Sequence, residues 1–79
     1  MSVRTLSRRF LQETGLTPMR WLAAQRLHHA RRLLERTDEP VDRIAAEAGF
    51  GTGTAMRQHF REALGVSPRA YRTTFRGSE

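Results

Sequence analysis

Arg4, Ser7 and Arg8 fall at intervals of three and one, which puts all three side chains on one side of a helix. Fifty residues later Thr54, Arg57 and Gln58 repeat those intervals. The chemistry these types offer is hydrogen bonding to flat, electron-rich edges. A guanidinium is a rigid planar fork that matches the O6 and N7 acceptors of guanine or two oxygens of a phosphate. A carboxamide pairs with adenine, and a hydroxyl serves with several bases or touches a thymine methyl. Arg9 and Arg61, with the helix-starting hydroxyls of Thr17, Thr52 and Ser67, suit phosphate oxygens, which fix register without reporting sequence. The plain alternative for each Arg is a solvated side chain.

Composition gives these side chains a context. The 79 residues carry a formal charge of +6, and all fourteen basic side chains are Arg. Biased codon usage accounts for Arg over Lys but not for the excess of base over acid. That excess implies a polyanionic partner, nucleic acid or an anionic membrane. With no Cys there are no disulfides and no thiolate metal sites. No apolar run is long enough to span a bilayer, and none after Met1 resembles a signal peptide, so a cytoplasmic location is expected.

Other features that suggest chemistry have simpler readings. Gly49-Phe-Gly-Thr-Gly-Thr54 looks like a phosphate loop, but it lacks the Lys and follows a helix rather than a strand. Gly51 and Gly53 are expected to loosen the entry to a helix, with Gly53 leaving room for a DNA backbone. His28 and His29 are adjacent and His59 is remote, a poor spacing for a metal. No Ser/His/Asp constellation appears, so no enzymatic activity, cofactor or metal is expected. Pro and Gly punctuation argues against a helix lying on a membrane.

The elements that must hold the Arg side chains emerge from an internal repeat. Residues 6–21 match residues 56–71: Leu6 meets Met56, Phe10 meets Phe60, Gly15 meets Gly65, Thr17-Pro18 meets Ser67-Pro68, and Trp21 meets Tyr71. Each copy reads as a helix, a Gly stop, a capped Pro start, then an aromatic one turn on. Between the copies, Trp21, Leu22, Leu27, Ala30, Leu33 and Leu34 recur at helical spacing from 18 to about 36. Such a helix spans roughly 28 Å. Arg26 within it reads as structural, paired with an acid. Thr37-Asp-Glu-Pro40 breaks the chain. A short helix over 40–48, a turn at Gly49 and a helix capped by Thr52 and running to about Leu64 form a helix-turn-helix pattern, with Ala45 allowing a close crossing. The alternative at this point is a generic helical hairpin. The short helix has no counterpart in the first copy, whose helix is expected to start at an N-cap on Ser2.

Arg26-Leu27, Ala30, Leu33-Leu34, Ile44-Ala45, Gly49-Phe50, Phe60, Gly65, Ser67-Pro68 and Tyr71-Arg72, in this order, resemble the DNA-binding region of AraC/XylS-type transcriptional regulators. The resemblance covers essentially the whole chain. It implies an all-α, homeodomain-like architecture of two helix-turn-helix subdomains joined by a long helix. Residues 1–17 are then the remnant of the first subdomain with its recognition helix. Residues 18–37 are the linker helix, and 40–76 the second subdomain with a C-terminal helix. It further implies that both recognition helices enter successive major-groove segments of double-stranded DNA. The base-contacting positions are Arg4, Ser7, Arg8, Thr54, Arg57 and Gln58.

Two departures stand out. The family pattern has two further helices before Ser2, and without them Leu6 and Phe10 lose packing surface, which weakens folding or favours self-association. Phe and Arg are common in the family where Met56 and Gln58 stand; an Arg contact to guanine or phosphate is thereby lost. The competing expectation is a protein-interaction module that self-associates or modulates a full-length regulator. RNA polymerase is a further partner expected from the resemblance.

Overall fold

A computed structural model describes residues 3–77; the N-cap expected at Ser2 lies outside them. Those residues form five helices, α1 (Val3–Thr14), α2 (Pro18–Arg36), α3 (Val41–Ala48), α4 (Gly53–Leu64) and α5 (Pro68–Gly77), with no strand among them. The boundaries follow from side chains that satisfy orphan backbone groups. Thr17 Oγ1 accepts from the Arg20 amide at 3.2 Å and Pro18 opens α2. Thr52 Oγ1 accepts from Ala55 N at 3.1 Å, and Ser67 Oγ from Ala70 N at 3.0 Å. The short helix expected from Pro40 has Pro40 as its N-cap and begins one residue later. It stops at Gly49, whose φ of 93° suits glycine, and the Phe50 and Gly51 amides both return to the Ala45 carbonyl, at 2.8 and 3.2 Å.

The buried core lies at one end of the molecule. Ala30 and Leu34 of α2, Ile44, Ala45 and Ala48 of α3, and Met56 and Phe60 of α4 form it. Ala45 is fully buried, consistent with a close crossing of α3 on its neighbours. In contrast, α1 contributes no buried residue. Its attachment is the Phe10 ring, edge-on to Trp21 of α2 at 5.6 Å and 80°. Phe60 and Tyr71 make the same T-shaped pair in the second copy, at 6.0 Å and 70°. The sequence repeat is thus a repeat of aromatic geometry. What differs is the cover: Leu6 is 56% exposed, whereas its counterpart Met56 is fully buried beside α3. Trp21 and Leu22, which share the helical spacing of apolar residues along α2, both remain exposed.

A set of polar contacts fastens α5 to the C-terminal end of α2. Arg72 Nε donates to the Leu34 carbonyl at 3.1 Å, and its Nη2 donates to the carbonyls of Thr37 and Glu39 at 3.0 and 2.8 Å. These carbonyls belong to the last turn of α2 and the break after it, where no helical partner is available. Arg76 adds bonds to the Thr37 carbonyl and the Asp38 carboxylate. The Tyr71 hydroxyl donates to the Glu35 carboxylate and accepts from Arg31 Nε at 3.2 Å, while the Arg31 guanidinium lies 5.3 Å from the ring centroid. Burial and the Glu35 carboxylate push the Tyr71 hydroxyl above its ordinary pKa, and the Arg76 hydrogen bond and charge hold Asp38 below its own.

Arg26 corrects one expectation. Among the described residues it forms no ion pair with an acid. Its stem instead lies against Gly49, where an added Cβ would sit 3.0 Å from Nε. The long side chain covers the α3–α4 turn by packing rather than by charge pairing.

The uneven core sets an order of sensitivity. Phe60→Ala should lose about 3–5 kcal/mol, enough to unfold so small a domain, whereas Phe10→Ala should lose less than half as much, read as urea midpoints. Asp38 contributes stability that is fully present above the ordinary carboxylate pKa and is lost as pH falls through its own lowered value. Asp38→Asn should therefore be slightly less stable than the parent at pH 7, and the difference should disappear as pH falls through the lowered Asp38 pKa, read in pH-dependent melts.

Candidate nucleic-acid interface

The outward face of α4 carries Thr54, Arg57, Gln58 and Arg61, all exposed, while the fully buried Met56 and Phe60 anchor the opposite face. The helix is therefore fixed in rotation, and the four polar side chains have only one direction to point. On α1, Arg4, Arg8 and Arg9 are exposed and Ser7 is half-buried. Arg4, Ser7 and Arg8 line one open depression of about 540 Å³ with Thr17 and Met19, between α1 and the start of α2. Arg9 lies outside that depression.

The electrostatics of these faces is one-sided. None of Arg4, Arg8, Arg9, Arg57 or Arg61 forms an ion pair with a described residue. The ion pairs present, Arg43 with Glu47 and Arg76 with Asp38, use other Arg residues. Gln58 is the exception to the open face, since its amide donates to the Glu62 carboxylate at 3.3 Å in an exposed contact. That contact uses one N–H, and the second N–H and the carbonyl oxygen remain for a base edge. Thr17, Thr52 and Ser67 each already accept one amide hydrogen, which leaves the hydroxyl proton of each free to donate.

Gly53 departs from its expected role. It is buried at the first position of α4, and the space of its missing side chain is occupied by Asp42: an added Cβ would lie 2.0 Å from Asp42 Oδ1 and 3.3 Å from Arg57 Nη1. The room belongs to a carboxylate of α3, not to a DNA backbone, and a buried helical glycine is not a loosened entry. Residues 49–52 of the Gly-rich stretch are simply the α3–α4 turn, and Gly53 opens α4. His59 stacks on Phe50 at 5.2 Å, and no group of three or more His, Asp or Glu among the described residues is placed to hold a metal.

With this geometry established, comparison with known proteins places the chain. The helix-turn-helix domain family matches over residues 1–74. The chain is 47% identical over 72 residues to the transcriptional activator RhaS of Enterobacter sp. (strain 638), covering 91% of this chain and 26% of that protein. The chain belongs to the AraC/XylS-type helix-turn-helix family. Another relative is the HTH-type transcriptional regulator Rv1931c of Mycobacterium tuberculosis, 44% identical over 75 residues, 95% of this chain and 29% of that one. The chain thus spans between a quarter and a third of the length of these relatives. Among solved structures, the DNA-binding domain of the transcriptional factor AdpA, in complex with a target DNA, superposes with a TM-score of 0.95 at 48% identity, over 100% of this chain and 71% of that one. The C-terminal domain of the response regulator AraT from Geobacillus stearothermophilus gives 0.89 at 36% identity, over 94% and 61%.

Within the AraC/XylS-type fold, two groups were not legible as functional or structural partners beforehand. Asp42 reaches Gly53 across eleven positions of sequence, and no spacing rule signals that contact. Arg72 stands in the family-like Tyr71-Arg72 pair, yet only the folded chain reveals that it seals the end of α2. The capping hydroxyl of Thr52 sets the start of the α4 helix, so Thr52→Ala should lower stability by about 1 kcal/mol, with Thr52→Ser recovering most of it in urea denaturation.

Proposed function

We propose that the chain binds double-stranded DNA sequence-specifically in transcription control, as one domain of two helix-turn-helix units. In this reading residues 1–17 carry the recognition helix of the first unit, 18–37 are the linker helix and 40–76 the second unit. Recognition helices α4 and α1 address successive major-groove segments. One turn of B-DNA, about 34 Å, compares with roughly 28 Å for α2. The observation that carries the reading is the α4 face: Arg57 and Arg61 are exposed, held by buried Met56 and Phe60, and form no ion pair among the described residues. The likeness to a DNA-binding domain solved with its target DNA supports it.

The roles divide by chemistry. Arg4, Arg8 and Arg57 take guanine edges, Gln58 adenine, and Ser7 and Thr54 neighbouring bases or thymine methyls. Arg9 and Arg61, with the hydroxyls and helix starts at Thr17, Thr52 and Ser67, take phosphates. RNA polymerase is a further partner of a domain acting at promoters, and the cytoplasm is its expected place of action. A second reading, self-association through α1, is favoured by one observation: Val3, Leu6, Leu11 and Met19 are 81%, 56%, 47% and 75% exposed.

Titration against random duplex and against a duplex selected from a random library, at two salt concentrations, tests the proposal. A DNA-binding module shows a steep salt slope and prefers the selected duplex; a self-association module shows neither. Arg57→Ala should weaken binding to the selected duplex by about 1–3 kcal/mol and random duplex far less. Arg61→Ala should weaken both alike and reduce the salt slope by about one.

A further inference from the structure

Gly53 is the first residue of α4, and its missing side chain leaves space that the Asp42 carboxylate fills. Arg57, one helical turn along α4, brings Nη1 to 3.3 Å from the same point. The two side chains approach one another there without forming an ion pair or hydrogen bond. Arg57 is otherwise unpaired, so this carboxylate is the charged group with which its guanidinium shares a site.

We propose that Asp42 is a specificity-determining positioning residue, which orients Arg57 toward base edges and keeps phosphate away from its guanidinium. The inference rests on the base-reading role of Arg57 given under Proposed function and extends it to a residue of the preceding helix. Two effects act together. The negative charge attracts the guanidinium to one side of α4 and restricts its rotamers. The same charge repels the DNA backbone from a place where Arg57 would otherwise bind phosphate and lose its selectivity. Gly53 is required because any side chain there displaces the carboxylate.

The test uses the full chain, a duplex selected by it from a random library, single-base-pair variants of that duplex, and random duplex of equal length. Asp42→Asn keeps the shape and removes the charge. It should strengthen binding to random duplex about threefold, lower discrimination between the selected duplex and its variants about fivefold, and steepen the log–log salt slope by about 0.9, one extra phosphate contact. Gly53→Ala keeps the charge but displaces it, and should lower discrimination to a similar degree while the chain stays folded in thermal melts. Adding Asp42→Asn to Arg57→Ala should lower discrimination no further than Arg57→Ala alone. If Arg57→Ala reduces discrimination while folded Asp42→Asn and Gly53→Ala do not, the role of Asp42 is overturned and that of Arg57 stands. If Arg57→Ala itself leaves discrimination unchanged, or no duplex is selected, the base-reading role fails and the proposal goes with it.

Discussion

A single helix has to serve both ends of this molecule, and it can bury only one stripe of its surface. The C-terminal half of α2 places Ala30 and Leu34 in the core and receives α3 and α5. Its N-terminal half holds α1 through the Phe10–Trp21 pair, with Trp21 and Leu22 still open to solvent. From this division follow the long shape of the domain, 46 Å against 24 and 19 Å, and its lopsided core. The second unit is determined by interlocking apolar contacts, and the first by an aromatic edge and a capped turn. Because α2 is continuous, the two units nonetheless share one frame.

The distribution of charge complements that frame. Acidic side chains at the α2–α5 junction are drawn into structural contacts: Glu35 with Tyr71, and Asp38 with Arg76. The Arg residues of α1 and of the outer α4 face have no such partners among the described residues. Neutralising acids at the α2–α5 junction while leaving Arg unpaired on α1 and the outer α4 face favours positive potential along those two helices. The charge excess visible in composition thus acquires a direction only in the folded chain.

Much of this architecture was legible because its signals are local. Thr17-Pro18 and Ser67-Pro68 fix helix starts, Gly49 and Gly65 fix helix ends, and the fifty-residue repeat equates Phe10–Trp21 with Phe60–Tyr71. The outward placement of Arg57 followed from the inward placement of Met56 and Phe60. What stayed hidden depends on side chains meeting across long separations. Arg72 finds three carbonyls at separations of 33 to 38 residues, and Asp42 meets Gly53 over a turn whose shape no periodicity reveals. Arg26 looked like an ion-pairing residue because a charge inside an apolar stretch suggests one, but its methylene stem was the part that mattered. Gln58 meets Glu62 one turn on, a contact that i, i+4 spacing permits but does not dictate.

The absence of any buried residue in α1 has a kinetic meaning. Segments without buried contacts open at low free energy, independently of the global transition. A duplex engaging both helices would meet one rigid reader and one that settles into place upon arrival. Mismatches under α4 would go unrelieved, whereas those under α1 would be softened by the yielding of the helix itself. The footprint of such a domain is expected to be strict over one half and permissive over the other, a polarity written into the protein by packing alone.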